Sequence, residues 1–160
     1  MSAELDGLTI SIRPGALAAA AGFIQLFHPA EVGGILVGYR TAEGLAVVDL
    51  LPVPTSIEII AFHRSHTRAT AALNAYLEIS DGQGLLGYVG EWHSHPSIHS
   101  ASDQDLESLS SIATRSGGIV GMIVVGADGS SIFPFGYLCD AHGVPWRAGF
   151  QRLPQSGTLT

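Results

Sequence analysis

The feature that most constrains the fold is a short segment that ends in two histidines and is soon followed by the start of a helix. His93 and His95 are two positions apart, so on a β-strand they point to the same face, with Cα atoms ~6–7 Å apart. Pro96 ends the strand. Ser102 is a typical helix N-cap, and Asp105 falls in the first helical turn, where the helix dipole favours an ionised carboxylate. The pattern predicts a strand–loop–helix unit in which two imidazoles and one carboxylate converge.

Two imidazoles and one carboxylate are the ligand set of a catalytic zinc site, in which the fourth position stays open to water. Zinc held in this way lowers the pKa of its water towards ~7 and polarises a substrate carbonyl. The chain has one cysteine, Cys139, which excludes a thiolate zinc knuckle and an intrachain disulfide. We therefore predict that His93, His95 and Asp105 bind Zn²⁺.

A hydrolytic zinc site also needs a base that takes a proton from water and delivers it to the leaving amine. Two glutamates compete for this role. Glu91 shares the strand face of His93 and His95, whereas Glu31 precedes Gly33 and a second predicted strand. The spacing of these residues leaves both candidates open.

The rest of the chain alternates between strand and helix patterns, which predicts an α/β fold with a mixed central sheet and helices on both faces. The predicted strands are residues 8–12, 35–39, 45–51, 87–93, 119–125 and 132–138, and the predicted helices are 16–27, 68–79 and the segment from Ser102 to Gly117. Residues 55–65 fit either a strand or a loop. We expect one domain over residues 1–150 and a polar tail over 151–160.

Composition narrows the range of partners. The 160 residues carry a net charge of −7, which argues against binding to nucleic acid or to an anionic membrane. The longest apolar stretch, residues 15–26, falls short of the ~20 residues that span a bilayer. Glu4 and Asp6 stand where a signal peptide would be basic. A cytoplasmic protein is therefore expected.

The order Glu31, His93-Ser-His95-Pro96 and Ser102-x-x-Asp105 resembles the signature of the JAMM (MPN+ or JAB) zinc metallopeptidases. The runs Glu-Val-Gly-Gly-Ile-Leu-Val-Gly and Gly-Glu-Trp-His-Ser-His-Pro are similar to the bacterial branch. The resemblance implies a JAMM/MPN, cytidine-deaminase-like fold with the same three zinc ligands. It also implies that Glu31 is the general acid/base and that Ser102 donates a hydrogen bond to the developing oxyanion.

Two departures from the family pattern concern the loop before Ser102. The stretch 97–101 is slightly short, and Ala101 stands where a proline often precedes the serine. Both bear on the shape of the substrate groove. We take Trp92 and His99 as further candidates for substrate contacts, and we expect an extended peptide to pair with a strand edge beside the metal.

Bacterial proteins with similar motifs accompany ubiquitin-like activating and conjugating enzymes, notably in antiphage operons of the Bil type. The resemblance therefore implies a peptidase that cleaves after the C-terminal glycine of a ubiquitin-like protein, either from its conjugates or from its precursor. Alternatives are release of a nucleotidyltransferase from targets in CBASS, processing of a sulfur carrier, and a non-catalytic MPN scaffold. The scaffold is disfavoured because all five motif positions are filled. A cupin metal site also contains two histidines two residues apart. It is not supported here because no glutamate follows His95 at the three- or four-residue spacing that such a site requires.

Overall fold

The computed structural model describes residues 7–53, 66–80, 84–128 and 130–154. In chain order the elements are β1 (Thr9–Ile12), α1 (Ala16–Phe27), β2 (Gly33–Thr41), β3 (Gly44–Pro52), α2 (His66–Ser80), β4 (Gly87–His95), α3 (Asp103–Ser116), β5 (Val120–Ala127), β6 (Ile132–Cys139) and β7 (Pro145–Arg152). The predicted helices and strands are all present. The ambiguous segment 55–65 lies outside the described residues.

The strands do not form the mixed central sheet covered by helices on both faces that we expected. They close into a barrel in the order β1-β3-β2-β4-β5-β6-β7, because β1 pairs in parallel with both β3 and β7. The predicted arrangement of a central sheet with helices on both faces is corrected accordingly, while the mixed α/β class is confirmed. The difference arises from β7, which the sequence analysis did not predict.

β7 begins at a proline and contains a glycine and two arginines, so it carries little of the usual strand signal. It nevertheless pairs antiparallel with β6 and supplies the strand that β1 needs for closure. Its last residues, Gln151 and Arg152, lie opposite Ser11 and Ile12. The barrel thus continues past the expected domain boundary at residue 150, and residues 155–160 of the expected tail lie outside the described part.

The interior of the barrel holds one apolar cluster to which every strand contributes. Helix α1 packs against this cluster through Ala16, Ala20 and Ile24, which are spaced four residues apart on one helical face. The run of alanines in α1 allows this close packing. On β2, Leu36 joins the interior cluster, whereas its neighbours on either side face outward.

The other two helices cover separate parts of the outer surface. Helix α2 packs over Ile35 and Val37 of β2, and helix α3 packs through Leu109 and Ala113 over β5 and β6. β4 lies between β2 and β5, so its outward-facing side chains lie between α2 and α3. None of the helices in the described ranges is both long and apolar enough to cross a membrane.

Candidate metal centre

Three predicted ligands meet at the end of β4. Nε2 of His93 lies 3.1 Å from Oδ1 of Asp105, and Nε2 of His95 lies 3.3 Å from Oδ2 of the same carboxylate. All three side chains are mostly shielded from solvent, and their potential ligand atoms lie within 4.8 Å of one another. The strand places both imidazoles on the outer face, and helix α3 brings the carboxylate to them.

The start of α3 fixes the direction of the carboxylate. The backbone N–H of Ser102 donates to Oδ2 of Asp105 at 2.8 Å, and the Asp105 N–H donates to Oγ of Ser102 at 3.1 Å. This reciprocal pair is a capping box with aspartate in place of the usual glutamate. The same hydrogen bonds that begin the helix therefore orient Asp105 towards the histidines and hold Ser102 beside it.

The short loop between β4 and α3 is packed against the barrel. A Cβ at Gly126 of β5 would lie 2.8 Å from Cα of Ile98 and 3.0 Å from the Ser97 carbonyl oxygen, so only glycine allows this approach. At the other end of the loop, the Ala101 N–H donates to the hydroxyl of Tyr137 at 3.1 Å. These contacts hold the loop against the barrel, although the loop is slightly short and has Ala101 in place of the expected proline before Ser102.

The charges of the cluster stabilise one another. Burial alone would raise the pKa of Asp105, but hydrogen bonds from His93 and His95 outweigh burial and hold it well below its usual range. The hydrogen bond with Asp105 raises the pKa of His95 against the opposing effect of burial, and the negative charges of Asp105 and Glu31 add to the rise. The carboxylate is thus ionised and ready to bind a cation.

This donor set fits zinc. Two donors that each lie ~2.1 Å from one tetrahedral ion are about 3.4 Å apart, close to the two nitrogen–oxygen distances seen here. Imidazole nitrogen and carboxylate oxygen are both common zinc ligands. His93, His95 and Asp105 could therefore hold Zn²⁺ and leave one position for a water or a substrate.

The structure places the two candidate glutamates in different surroundings. Oε1 of Glu31 lies 3.3 Å from Nδ1 of His95, and the Glu31 side chain is 43% exposed. Glu91 instead accepts a long hydrogen bond of 3.5 Å from the Tyr88 hydroxyl, on the part of β4 that leads away from the cluster. Glu31 is therefore the glutamate that touches the candidate metal centre, as the family resemblance implied.

A cleft of about 870 Å³ runs over β4 between α2 and α3. Glu91 lies in its floor, two residues before His93 on the same face of the strand, and Gln104, next to Asp105, lies in its wall. One wall is largely apolar and comes from α2, including Leu73, whereas α3 contributes mainly polar side chains. The cleft therefore lies over the face of β4 that carries the candidate ligands, although none of the three ligands lines it.

The structure places the two predicted substrate contacts differently. Trp92 is completely buried in the barrel interior, and its Nε1 donates to the Leu51 carbonyl at 3.2 Å. Its predicted contact with substrate does not fit this position, because residues that alternate with outward-facing histidines must face inward. His99 is exposed in the loop after β4, where its role stays a prediction.

Two residues that support the centre were missed by the sequence analysis. Ser94 bonds to the backbone beside Glu31, and Tyr137 holds the loop before Ser102. Nothing in the strand pattern marks Tyr137, since it lies among other apolar residues of β6. Ser94 stands between the two histidines, and that position is the one signal that could have drawn attention to it.

The family model described as prokaryotic homologs of the JAB domain matches residues 15–135, well over half of the chain. The chain belongs to this family. Among solved structures, this prokaryotic JAB-domain chain is similar to protein DSY2949 from Desulfitobacterium hafniense, with a TM-score of 0.66 and 14% identity over 92% of this chain and 94% of that one. At an identity this low, the match shows that the two chains share a fold and nothing more. None of the curated proteins matches the chain.

We expect the purified protein to hold about one zinc ion per chain, and His95→Ala and Asp105→Asn to lose it, because each removes one of three protein ligands. Metal analysis after gel filtration measures the ratio. His99→Ala is the matched control, since it removes an exposed imidazole from the adjacent loop and should leave the zinc content unchanged. A His95→Ala protein with full zinc would overturn the ligand assignment.

Zinc affinity should also fall as the solution becomes more acidic. The pKa of His95 in the metal-free protein is raised above 6.5, so protons compete with zinc at and below that raised value. Asp105 stays ionised and does not contribute to the fall in this range. We expect a decline of at least about tenfold per pH unit well below the His95 pKa, because both imidazoles must be neutral to bind the metal. Competition with a coloured chelator between pH 5.5 and 8.5 measures it, and an affinity that does not change across this range would contradict the expectation.

Proposed function

We propose that the protein is a zinc-dependent peptidase that cleaves after the C-terminal glycine of a ubiquitin-like protein. The observation that carries this proposal is the contact between Glu31, which is open to solvent, and a cluster of two histidines and one aspartate. The prokaryotic JAB-domain family, to which the chain belongs, supports it because JAB domains include metallopeptidases.

Zinc bound by His93, His95 and Asp105 would activate water and polarise the scissile carbonyl. The role of Glu31 is to accept the proton of the attacking water and to deliver it to the departing amine. Its half-exposed carboxylate can exchange protons with solvent after each turnover. Its contact with Nδ1 of His95 keeps it beside the candidate metal centre and, when that nitrogen carries hydrogen, leaves Nε2 to bind the metal.

Ser102 is suited to stabilise the developing negative charge on the carbonyl oxygen. Its Oγ accepts the Asp105 N–H, and a hydroxyl that accepts one hydrogen bond can still donate its own hydrogen. The capping box fixes the hydroxyl before substrate arrives, so little reorganisation is needed during the reaction.

The substrate path we propose is the cleft between α2 and α3. Each strand in the described part of the barrel has a neighbour on both sides, so the strand edge that we expected to pair with a peptide is not present there. A modifier tail laid along β4 would instead be held mainly by side chains. Glycine at the cleaved position would let its carbonyl approach the metal without a Cβ in the way.

The biological setting we propose is removal or maturation of a ubiquitin-like modifier in the bacterial cytoplasm, within an antiphage conjugation system. Its partners would be the modifier, its conjugates, and the activating and conjugating enzymes. Neither nucleic acid nor a membrane surface is expected as a partner, given the net charge of −7. Support for this setting comes from the bacterial motif pattern around Glu31 and His93.

Glu31→Gln should retain zinc while its turnover number falls by about 10²–10⁴, because it removes the base and leaves all three ligands in place. Glu91→Gln, the matched control, should keep its turnover number, with any change confined to KM because it lines the cleft. The assay measures cleavage of a peptide whose Gly-Gly carboxyl end is joined to a lysine ε-amine. An active Glu31→Gln enzyme and an inactive Glu91→Gln enzyme would reverse our assignment.

Cleavage should depend on the terminal glycine of the modifier. With ubiquitin-like proteins fused through that glycine to a reporter, we expect glycine→valine to reduce kcat/KM by more than about tenfold, because a branched Cβ blocks the approach to the metal. A change in the first reporter residue should have a much smaller effect. Equal cleavage of the glycine and valine fusions would indicate a general peptidase, and no cleavage of any fusion by the zinc-loaded protein would favour a scaffold.

A further inference from the structure

We propose that Ser94, the residue between the two histidine ligands, is the positioning residue for Glu31. This inference rests on the proposed function, because it takes Glu31 to be the base. Ser94 is 2% exposed, so its hydroxyl faces protein rather than a substrate or water. It cannot take part in the chemistry directly, and its effect must come through the residues it contacts.

The contacts of Ser94 are with the backbone of Val32, the residue after Glu31. The Ser94 N–H donates to the Val32 carbonyl oxygen at 2.8 Å, and the Val32 N–H donates to Oγ of Ser94 at 3.0 Å. In a regular antiparallel pair, the second of these bonds would go to a backbone carbonyl. Here the serine side chain takes the place of that carbonyl, at the point where β2 ends its pairing with β4.

The use of the Ser94 hydroxyl in place of a backbone carbonyl matters because Glu31 lies just outside β2. The last backbone pair of the ladder on this side joins Gly33 and His93. Beyond it, the side-chain bond at Val32 continues the register, so Glu31 comes opposite His95 and its carboxylate reaches Nδ1 at 3.3 Å. Glu31 lies in neither a helix nor a strand, and the backbone one residue away is held by two bonds, of which the Ser94 hydroxyl supplies one.

Loss of the Ser94 hydroxyl should affect the kinetics differently if Ser94 positions Glu31 than if Ser94 only stabilises the sheet. If Ser94 acts through Glu31, removing its hydroxyl should lower kcat and leave KM nearly unchanged, because Glu31 acts in the chemical step. The same change should have no further effect once Glu31 is already glutamine. If Ser94 only stabilises the sheet, its loss should reduce activity by the same factor in both backgrounds.

The experiment uses the full chain with Ser94→Ala, and compares Ser94→Thr with Ser94→Val. Threonine and valine have the same shape and differ in the hydroxyl, so any fault caused by the added methyl group affects both. With the Gly-Gly–lysine isopeptide probe, we expect Ser94→Ala and Ser94→Val to lose at least about tenfold in kcat and Ser94→Thr to retain most of it. Zinc content should stay at one per chain in all three.

Amide hydrogen exchange of the metal-free protein gives a readout that does not depend on activity. The Val32 amide should exchange at least about tenfold faster in Ser94→Ala, because its acceptor is gone, while the Val124 amide inside β5 keeps its rate. Unchanged Val32 exchange, equal activity of the threonine and valine variants, or an undiminished effect of Ser94→Ala in the Glu31→Gln background would each overturn the inference. Full activity of Glu31→Gln alone would instead overturn the proposed base, while the exchange data would still show whether Ser94 holds this segment.

Discussion

The candidate site depends on the alternation of side chains along β4. Residues at odd positions, His93 and His95, face outward between α2 and α3, while Trp92 and Ser94 face inward or towards β2. One strand therefore carries the ligands on one face and, on the other, the anchors that hold its neighbours. Trp92 ties β4 to the Leu51 carbonyl of β3, and Ser94 ties it to the chain beside Glu31. The candidate ligands on the outer face of β4 keep their positions because the contacts of Trp92 and Ser94 hold the strand in place.

The sequence predicts the ligand set because its parts are local. A two-residue spacing on a strand, a proline that ends the strand and a helix N-cap are each recognised over a few residues, and each is formed in the structure. The choice between Glu31 and Glu91 was different, because periodicity favoured neither. Glu31 is 64 residues from His95, and only the pairing of β2 with β4 brings the two together. The family resemblance indicated the glutamate that lies beside His95, where spacing could not.

The features that were not predicted all depend on tertiary context. β7 has a weak strand sequence and forms because β6 and β1 both offer it partners, and its presence closes the expected mixed sheet into a barrel. Trp92 was a candidate for a substrate contact, yet the alternation of side chains along β4 buries it. In the described part of the chain, closure of the barrel also gives each strand two neighbours and leaves no strand edge of the kind at which we expected a peptide to pair.

The position of Glu31 depends on the register of β2 against its neighbouring strands, and a one-residue shift of β2 in either direction is disfavoured. A Cβ at Gly34 would overlap the Leu51 carbonyl oxygen, so a shift that brought Ile35 to this position is excluded by steric clash. A shift in the opposite direction would place Glu31 at the partly buried position where Val32 packs against the interior cluster, and partial loss of solvation there disfavours an ionised carboxylate. A one-residue slip moves every side chain to the other face. The glycine that makes room for the chain and the glutamate that must remain in water thus select the same register, which is the one that puts Glu31 opposite His95.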